Sequence, residues 1–123
     1  DRCRLTTEGI SVYGMVRCLQ SFNFDAKAYQ CDFETLLKEA KLPCIIHVIN
    51  DNMTHFMVLY KITKRYLIMG DPAKGLIRLK YEELEKIFTG VCICNEHVGR
   101  YVIKQGEKDY SFKEFLIKHL KSM

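Results

Sequence analysis

The chain has 123 residues, a length that suits one domain, and 48% of them are hydrophobic, so a single apolar core can form. Charged residues make up 28% of the sequence and the formal net charge is +4; this mixed composition argues against a disordered chain. The lysines are scattered, no basic stripe alternates with exposed aromatic residues, and no apolar run is long enough for a membrane span, so we expect a soluble chain that binds no nucleic acid.

The six cysteines lie mostly inside apolar runs such as "MVRCL", "LPCII" and "VCICN". Reduced, buried cysteine behaves as a small hydrophobic residue, and no signal peptide precedes the chain, so we expect a reducing, cytosolic compartment. Cys92, Cys94 and His97 could suggest a metal, but they supply only three ligands. Core packing is the favoured interpretation, and no metal or cofactor is predicted.

The first forty residues predict two helices and one strand. Residues 11–22 place four apolar side chains on one helical face, with Ser11 as the N-cap. Residues 25–31 are typical of a short strand, and residues 32–40 of a short helix that Asp32 caps. Pro43 ends the second helix.

The remainder of the chain is dominated by strand patterns. Residues 82–88 predict a helix of about two turns. The other apolar runs predict strands at 44–50, 75–81, 90–96 and 100–105, together with a hairpin of two strands within 54–75. Helices therefore come first and strands mostly follow. This order favours an α+β domain with an antiparallel sheet over an alternating parallel fold.

The last residues predict an amphipathic helix. Ser111 and Glu114 form a capping-box signature, and four apolar side chains share one face, namely Phe112, Phe115, Leu116 and Leu120. We therefore divide the chain into a domain at 1–108 and a C-terminal linker helix at 109–123.

The stretch "THFMVLYKITKRYLIMGDPAKG", residues 54–75, predicts a hairpin with an ionisable residue on each strand, away from the turn. His55 opens the first strand and Asp71 closes the second. Because residues across an antiparallel pair share a face, the two side chains share a face if the turn holds an odd number of residues, for instance Thr63 to Arg65. A two-residue turn would separate them, unless Asp71 lies past the strand end.

Two interpretations of this pair follow from the residues. A carboxylate that orients an imidazole is what nucleophilic catalysis by a thiol or hydroxyl requires. The structural alternative is that His55 caps a strand and Asp71 begins a turn with Pro72. His47, in the middle of a strand, is expected to be part-buried, and "GDPAKG" lacks the Gly-Lys-Ser/Thr of a phosphate-binding loop.

Three segments occur in a fixed order that resembles one family: "EGISVYGMVRCLQSFNFDAKAY", "LPCIIHVINDNMTHFMVLYKI" and "IMGDPAKGLIRLKYEELEKIFTGV". They are similar to the N-terminal cysteine-peptidase domain of peptidase-containing ABC transporters, the bacteriocin-processing or double-glycine leader peptidases. The resemblance implies a papain-like fold and cleavage of a leader peptide after a Gly-Gly pair. It also implies His55 as the catalytic histidine and Asp71 as the catalytic aspartate.

The chain departs from this family at its N-terminus. The family's nucleophilic cysteine lies in an Asp-Cys-Gly motif on an N-terminal helix, and no such motif occurs here. Cys3 falls in "DRCRLTTEG", which matches the loop after that helix, so the domain is expected to be incomplete and inactive by itself. The alternatives left open are a shortened active peptidase, a degenerate domain that docks export substrates without cutting them, and a purely structural papain-like module.

The resemblance also implies partners and a location. These are a bacteriocin or peptide-precursor leader, the transmembrane and nucleotide-binding domains of the transporter, and the cytoplasmic face of the bacterial membrane. Residues that contact the substrate are not predicted. A missing nucleophile helix would expose apolar surface, which we expect to be covered either by a homodimer or by residues 111 to 122.

Overall fold

The computed structural model describes residues 11–96, the backbone of residues 100–102 and 109–111, and Leu116. The helices of these residues are α1 (Val12–Ser21), α2 (Phe33–Glu39) and α3 (Tyr81–Ile87). The strands are β1 (Ala26–Gln30), β2 (Cys44–Asn50), β3 (Met53–Ile62), β4 (Leu67–Asp71), β5 (Gly75–Leu79), β6 (Phe88–Asn95), β7 (Arg100–Val102) and β8 (Asp109–Ser111).

Side-chain caps begin the first two helices as the sequence predicts. The Ser11 hydroxyl accepts a hydrogen bond from the Gly14 amide at 2.9 Å, and the Asp32 carboxylate accepts one from the Thr35 amide at 2.8 Å. Each cap satisfies an amide that has no partner inside its helix. The predicted helices at 11–22 and 32–40 are therefore present, with ends within two residues of the expected positions.

The sheet is antiparallel and has six strands in the order β1-β6-β2-β3-β4-β5. The strands from β2 to β5 follow one another along the chain, whereas β6 crosses back and lies between β1 and β2. Strands β7 and β8 pair with each other in a separate hairpin. The predicted α+β class with an antiparallel sheet is confirmed.

Each face of the six-stranded sheet carries its own buried cluster. The α1 cluster includes Met15 and Leu19 of the helix together with Ile45, Phe56 and Val58 of the sheet. The α2/α3 cluster lies on the opposite face and includes Leu36, Cys44, Ile46, Val48, Met57, Leu59, Leu67, Met69, Leu84, Cys92 and Cys94. Adjacent residues of β2 and β3 alternate between the clusters, so both faces of these central strands are buried.

Leu116 is the described part of the predicted C-terminal helix. It is helical, 1% exposed and part of the α1 cluster. This position agrees with one of the two alternatives for covering the apolar surface, in which residues 111 to 122 pack against the domain. Residues 109–111, which the predicted division at 108 assigns to the linker helix, instead form strand β8 and pair with β7; the remaining residues of the predicted helix lie outside the described residues. No described helix is long and apolar enough to cross a membrane.

Candidate active site

His55 and Asp71 lie at the open end of the β3–β4 hairpin, away from its turn. His55 is the third residue of β3, is half-buried, and faces Val48 of β2 across the sheet. Asp71 is the last residue of β4, is also half-buried, and is paired with Gly75 of β5. The sheet therefore brings the two predicted residues to neighbouring strands at the same end.

The turn of this hairpin decides which face each side chain takes in a regular ladder. The Thr63 amide donates to the Tyr66 carbonyl at 2.9 Å, and the strand pairing begins at Ile62 and Leu67. Two residues, 64 and 65, thus form the tip. Of the two alternatives for the turn, the structure has the even one, which in a regular ladder would put His55 and Asp71 on opposite faces.

A β-bulge restores the shared face. Lys61 pairs with Ile68, but Leu59 pairs with Met69, so Tyr60 is an extra residue in β3. If the shifted register continues by one residue beyond the Val58–Gly70 pair, Asp71 lies across from Met57. Met57 is two residues after His55 in β3. The two side chains are therefore diagonal neighbours on one face, a spacing of roughly 7–8 Å between Cα atoms.

The Asp71 carboxylate stabilises the turn that follows β4. Its Oδ1 atom accepts hydrogen bonds from the amides of Ala73 at 2.8 Å and Lys74 at 3.2 Å. Gly75 then adopts a φ of 82°, a left-handed conformation that glycine accommodates without strain. The structural interpretation of Asp71 as a turn former is therefore correct, and it leaves Oδ2 without a hydrogen bond among the described residues.

No hydrogen bond joins the His55 ring to the Asp71 carboxylate in the part of the chain that the structure describes. The contact of about 2.6–3.2 Å by which a carboxylate would orient an imidazole is therefore not formed between these two side chains. Catalytic hydrogen bonds often tighten only when substrate binds, and the two side chains lie on the same face of the sheet.

A second histidine, His47, lies on the other face of the sheet. Its Nδ1 atom is 2.9 Å from the Thr89 hydroxyl, and its ring centroid is 4.9 Å from that of Phe56. Burial, and to a lesser degree the charge of His55, lowers the pKa of His47. His47 is therefore a part-buried, hydrogen-bonded residue, as expected from its place in the strand.

Four free thiols form a cluster between β1, β6 and β2, which we call the thiol cluster: Cys31, Cys44, Cys92 and Cys94. Sulfur hydrogen bonds connect Cys31 with Cys92 and Cys94 with both Cys44 and Cys92. A cavity of about 260 Å³ opens beside them, with Leu36 and Lys41 in its wall. Cys18 is disulfide-bonded, so among the described cysteines the thiol cluster is reduced, as expected, and Cys18 is not.

Hydrogen bonding and burial set the protonation of the thiol cluster. The hydrogen bond to Cys94, followed by burial, raises the pKa of Cys44 and of Cys92. The same bonds lower the pKa of Cys94, which is 5% exposed. No group of side chains suited to holding a metal ion occurs among the described residues; His97 lies outside them.

The Tyr60 bulge is the feature of the site that the sequence pattern did not predict. A signal for it was present, because strict alternation from Met57 and Leu59 would point Lys61 into the core. The structure instead buries Ile62 partly, in the same cluster as Met57 and Leu59. A charged residue at an inward position of an otherwise apolar strand is thus evidence for a bulge.

Comparison with known proteins gives one family and several close matches. The model of the peptidase C39 family matches residues 1–98. The lactococcin-G-processing and transport ATP-binding protein LagD of Lactococcus lactis subsp. lactis is 35% identical over 96 residues, which are 76% of this chain and 14% of LagD. The chain thus spans about one-seventh of the length of that relative.

Two solved structures have similar folds. One is a double glycine motif protease from an AMS/PCAT transporter in complex with its leader peptide, with 36% sequence identity and a TM-score of 0.62 over 68% of this chain and 58% of that one. The other is the peptidase domain of Streptococcus mutans ComA with a small-molecule inhibitor, with 27% identity and a TM-score of 0.64 over 70% of this chain and 74% of that one.

Proposed function

Because the chain belongs to the peptidase C39 family, we propose that it is the peptidase domain of a peptide-exporting ABC transporter and removes double-glycine leader peptides. The observation that carries this proposal is the shared face of His55 and Asp71 at the open end of β3 and β4. The 36% identity to a double glycine motif protease supports the choice of substrate class. The chain spans 14% of the length of LagD. That this domain belongs to a transporter is therefore also proposed.

In the proposed reaction His55 is the general base. Its neutral imidazole takes the proton of a cysteine thiol, and the thiolate attacks the carbonyl carbon of the second glycine of the leader. The imidazolium then gives its proton to the leaving amine as the peptide bond breaks and a thioester remains. Water, deprotonated by His55, hydrolyses the thioester and releases the leader with the thiol restored.

Asp71 is proposed to orient His55 and to stabilise its protonated form. Its Oδ1 atom is fixed by the amides of Ala73 and Lys74, which leaves Oδ2 to accept from the imidazole. The carboxylate therefore needs only the His55 side chain to move. A carboxylate held by two amides on the face of the imidazole suits a site whose hydrogen bonds tighten when substrate binds.

The nucleophile is proposed to come from outside these 123 residues. The family's Asp-Cys-Gly motif does not occur in the sequence, and no hydrogen bond joins His55 to a cysteine of the described residues. The members of the thiol cluster pair with one another and not with a histidine. This chain alone is therefore expected to bind a leader peptide without cutting it.

The experiment compares this chain with a version extended at its N-terminus by the native nucleophile segment. Both are incubated with a leader peptide containing Gly-Gly, and cleavage is followed by mass spectrometry while binding is followed by calorimetry. We expect cleavage only by the extended chain and binding by both. Binding without cleavage by the extended chain would instead support a degenerate domain that docks export substrates, and cleavage by the 123-residue chain would identify a different nucleophile.

A further inference from the structure

The number of residues between His55 and Asp71 conflicts with a regular hairpin. Fifteen residues separate them in the sequence. Beside the two-residue tip, Ile62 pairs with Leu67 and Lys61 with Ile68. If this register continued along the strands, Val58 would face Asp71. The carboxylate would then point to the α1 cluster, on the side of the sheet away from His55.

The bulge changes this register by one residue. Leu59 pairs with Met69 and Val58 with Gly70, so Tyr60 has no partner of its own. Burial gives independent support, because Met57, Leu59 and Ile62 all contribute to the α2/α3 cluster. Their spacing is two residues and then three, and a strand with strict alternation cannot produce that pattern.

The ring of Tyr60 fills the space that Gly70 leaves empty. A Cβ atom placed on Gly70 would lie 2.6 Å from Cε2 of the Tyr60 ring, closer than carbon atoms approach in proteins. Tyr60 itself is half-buried and packs against the α1 cluster. The bulged residue and the glycine are therefore complementary in shape, on the face of the sheet opposite to the candidate active site.

We propose that Tyr60 and Gly70 are positioning residues for the candidate active site: the Tyr60 ring, packed on Gly70, holds the bulge that places Asp71 on the face of His55. This inference rests on the proposed function, since it assigns these residues a role in that same site. Neither residue touches the reacting groups. Each acts through the register of β3 against β4, in which a shift of one residue moves a side chain to the other face.

The test uses three variants of the chain: one that introduces a steric clash, one conservative control and one deletion. Gly70→Val fills the space of the ring and should remove the bulge or displace it. Tyr60→Phe retains the ring and should change nothing. Deletion of Tyr60 removes the extra residue, so fourteen residues remain between His55 and Asp71, and a regular two-residue hairpin then brings them to the same face without a bulge.

The register is measured by NMR in the 123-residue chain, as cross-strand backbone contacts of Asp71. We expect contacts with Met57 in the unmodified chain, in Tyr60→Phe and in the deletion variant, and their loss in Gly70→Val. Combining Gly70→Val with the Tyr60 deletion should restore them, because the clashing ring is gone. This double variant also separates a register change from a general failure to fold.

Cleavage is measured in the same variants of the chain extended by the nucleophile segment. Gly70→Val should lower kcat at least tenfold with little change in KM, and the Tyr60 deletion should restore kcat in that background. Contacts between Met57 and Asp71 that persist in Gly70→Val, or that vanish on deletion of Tyr60, would overturn the proposal. Register changes as expected in variants that never cleave would leave the positioning role intact and contradict the peptidase function alone.

Discussion

The open end of the β3–β4 hairpin and the thiol cluster both hold side chains that can do nucleophilic or acid–base chemistry, but their surroundings differ. His55 and Asp71 are half-buried at the end of their strands. Three of the four thiols are buried inside the α2/α3 cluster and are hydrogen-bonded to one another. Reactive residue types therefore do not define a site; access to substrate and an oriented partner do.

The largest effect is expected from His55→Ala in the chain extended by the nucleophile segment. Loss of the general base should lower kcat by about 10²–10⁴-fold, measured with a Gly-Gly leader peptide. The matched control is His47→Ala, which removes the histidine on the opposite face and should leave kcat within a few-fold. Equal losses in the two variants would contradict the assignment of the base to the hairpin.

Asp71→Asn should have a smaller effect on the same reaction. Asparagine keeps an oxygen that accepts from the Ala73 and Lys74 amides, so the turn is retained while the charge beside His55 is lost. Loss of the carboxylate that orients a catalytic histidine can lower kcat by up to about 10⁴-fold, and we expect a decrease in kcat that does not exceed that of His55→Ala. Asp51→Asn, in the turn before β3 where φ is 53°, is the control and should be silent.

Substitution in the thiol cluster should change stability and not cleavage. Cys92→Ala removes a buried sulfur and its hydrogen bonds, and we expect a loss of about 1 kcal/mol in the free energy of unfolding, a typical effect for a buried position. Urea denaturation measures this, and kcat of the extended chain should stay at the unmodified value. A large fall in kcat with unchanged stability would place a reactive thiol in the cluster.

The smallest expected effect is a slower alkylation of the Cys31 thiol compared with that of a free cysteine peptide. Burial raises the pKa of this half-buried thiol, so less thiolate is present near neutral pH than in a free cysteine. Alkylation by iodoacetamide should therefore be slower than for a cysteine peptide, and the deficit should shrink as the pH rises through the raised pKa. Peptide mapping should find Cys44, Cys92 and Cys94 labelled after Cys31, and early labelling of Cys94 would contradict their inaccessibility.

Much of the fold was predictable because local signals and burial agree. The caps at Ser11 and Asp32 and the apolar, β-branched run of β2 fix their elements from neighbouring residues alone. Strand β6 begins at Phe88, earlier than residue 90 as predicted. Its first residue pairs with Val48, a contact between distant parts of the chain that no local pattern contains.

The candidate site was predictable only in part. The sequence places His55 and Asp71 at one end of a hairpin, and the structure agrees. The sequence left the shared face undecided, because register parity depends on every residue between the two positions and Tyr60 adds one residue to the strand. The shape complementarity between the Tyr60 ring and Gly70 depends on how two strands pack together. The strand propensities of the individual residues therefore do not predict it.

The strand order also indicates which contacts of the sheet can form early in folding and which form later. Strands β2 to β5 close through short turns, so forming them costs little loop entropy, whereas the Asp25 amide meets the Asn95 side chain from 70 residues away. Contacts between strands that are close in sequence, such as those of β2 to β5, tend to form early in folding. The hairpin that holds His55 and Asp71 therefore belongs to the kinetically accessible half of the sheet. Destabilising substitutions there should slow folding, and those in β1 or β6 should mainly accelerate unfolding.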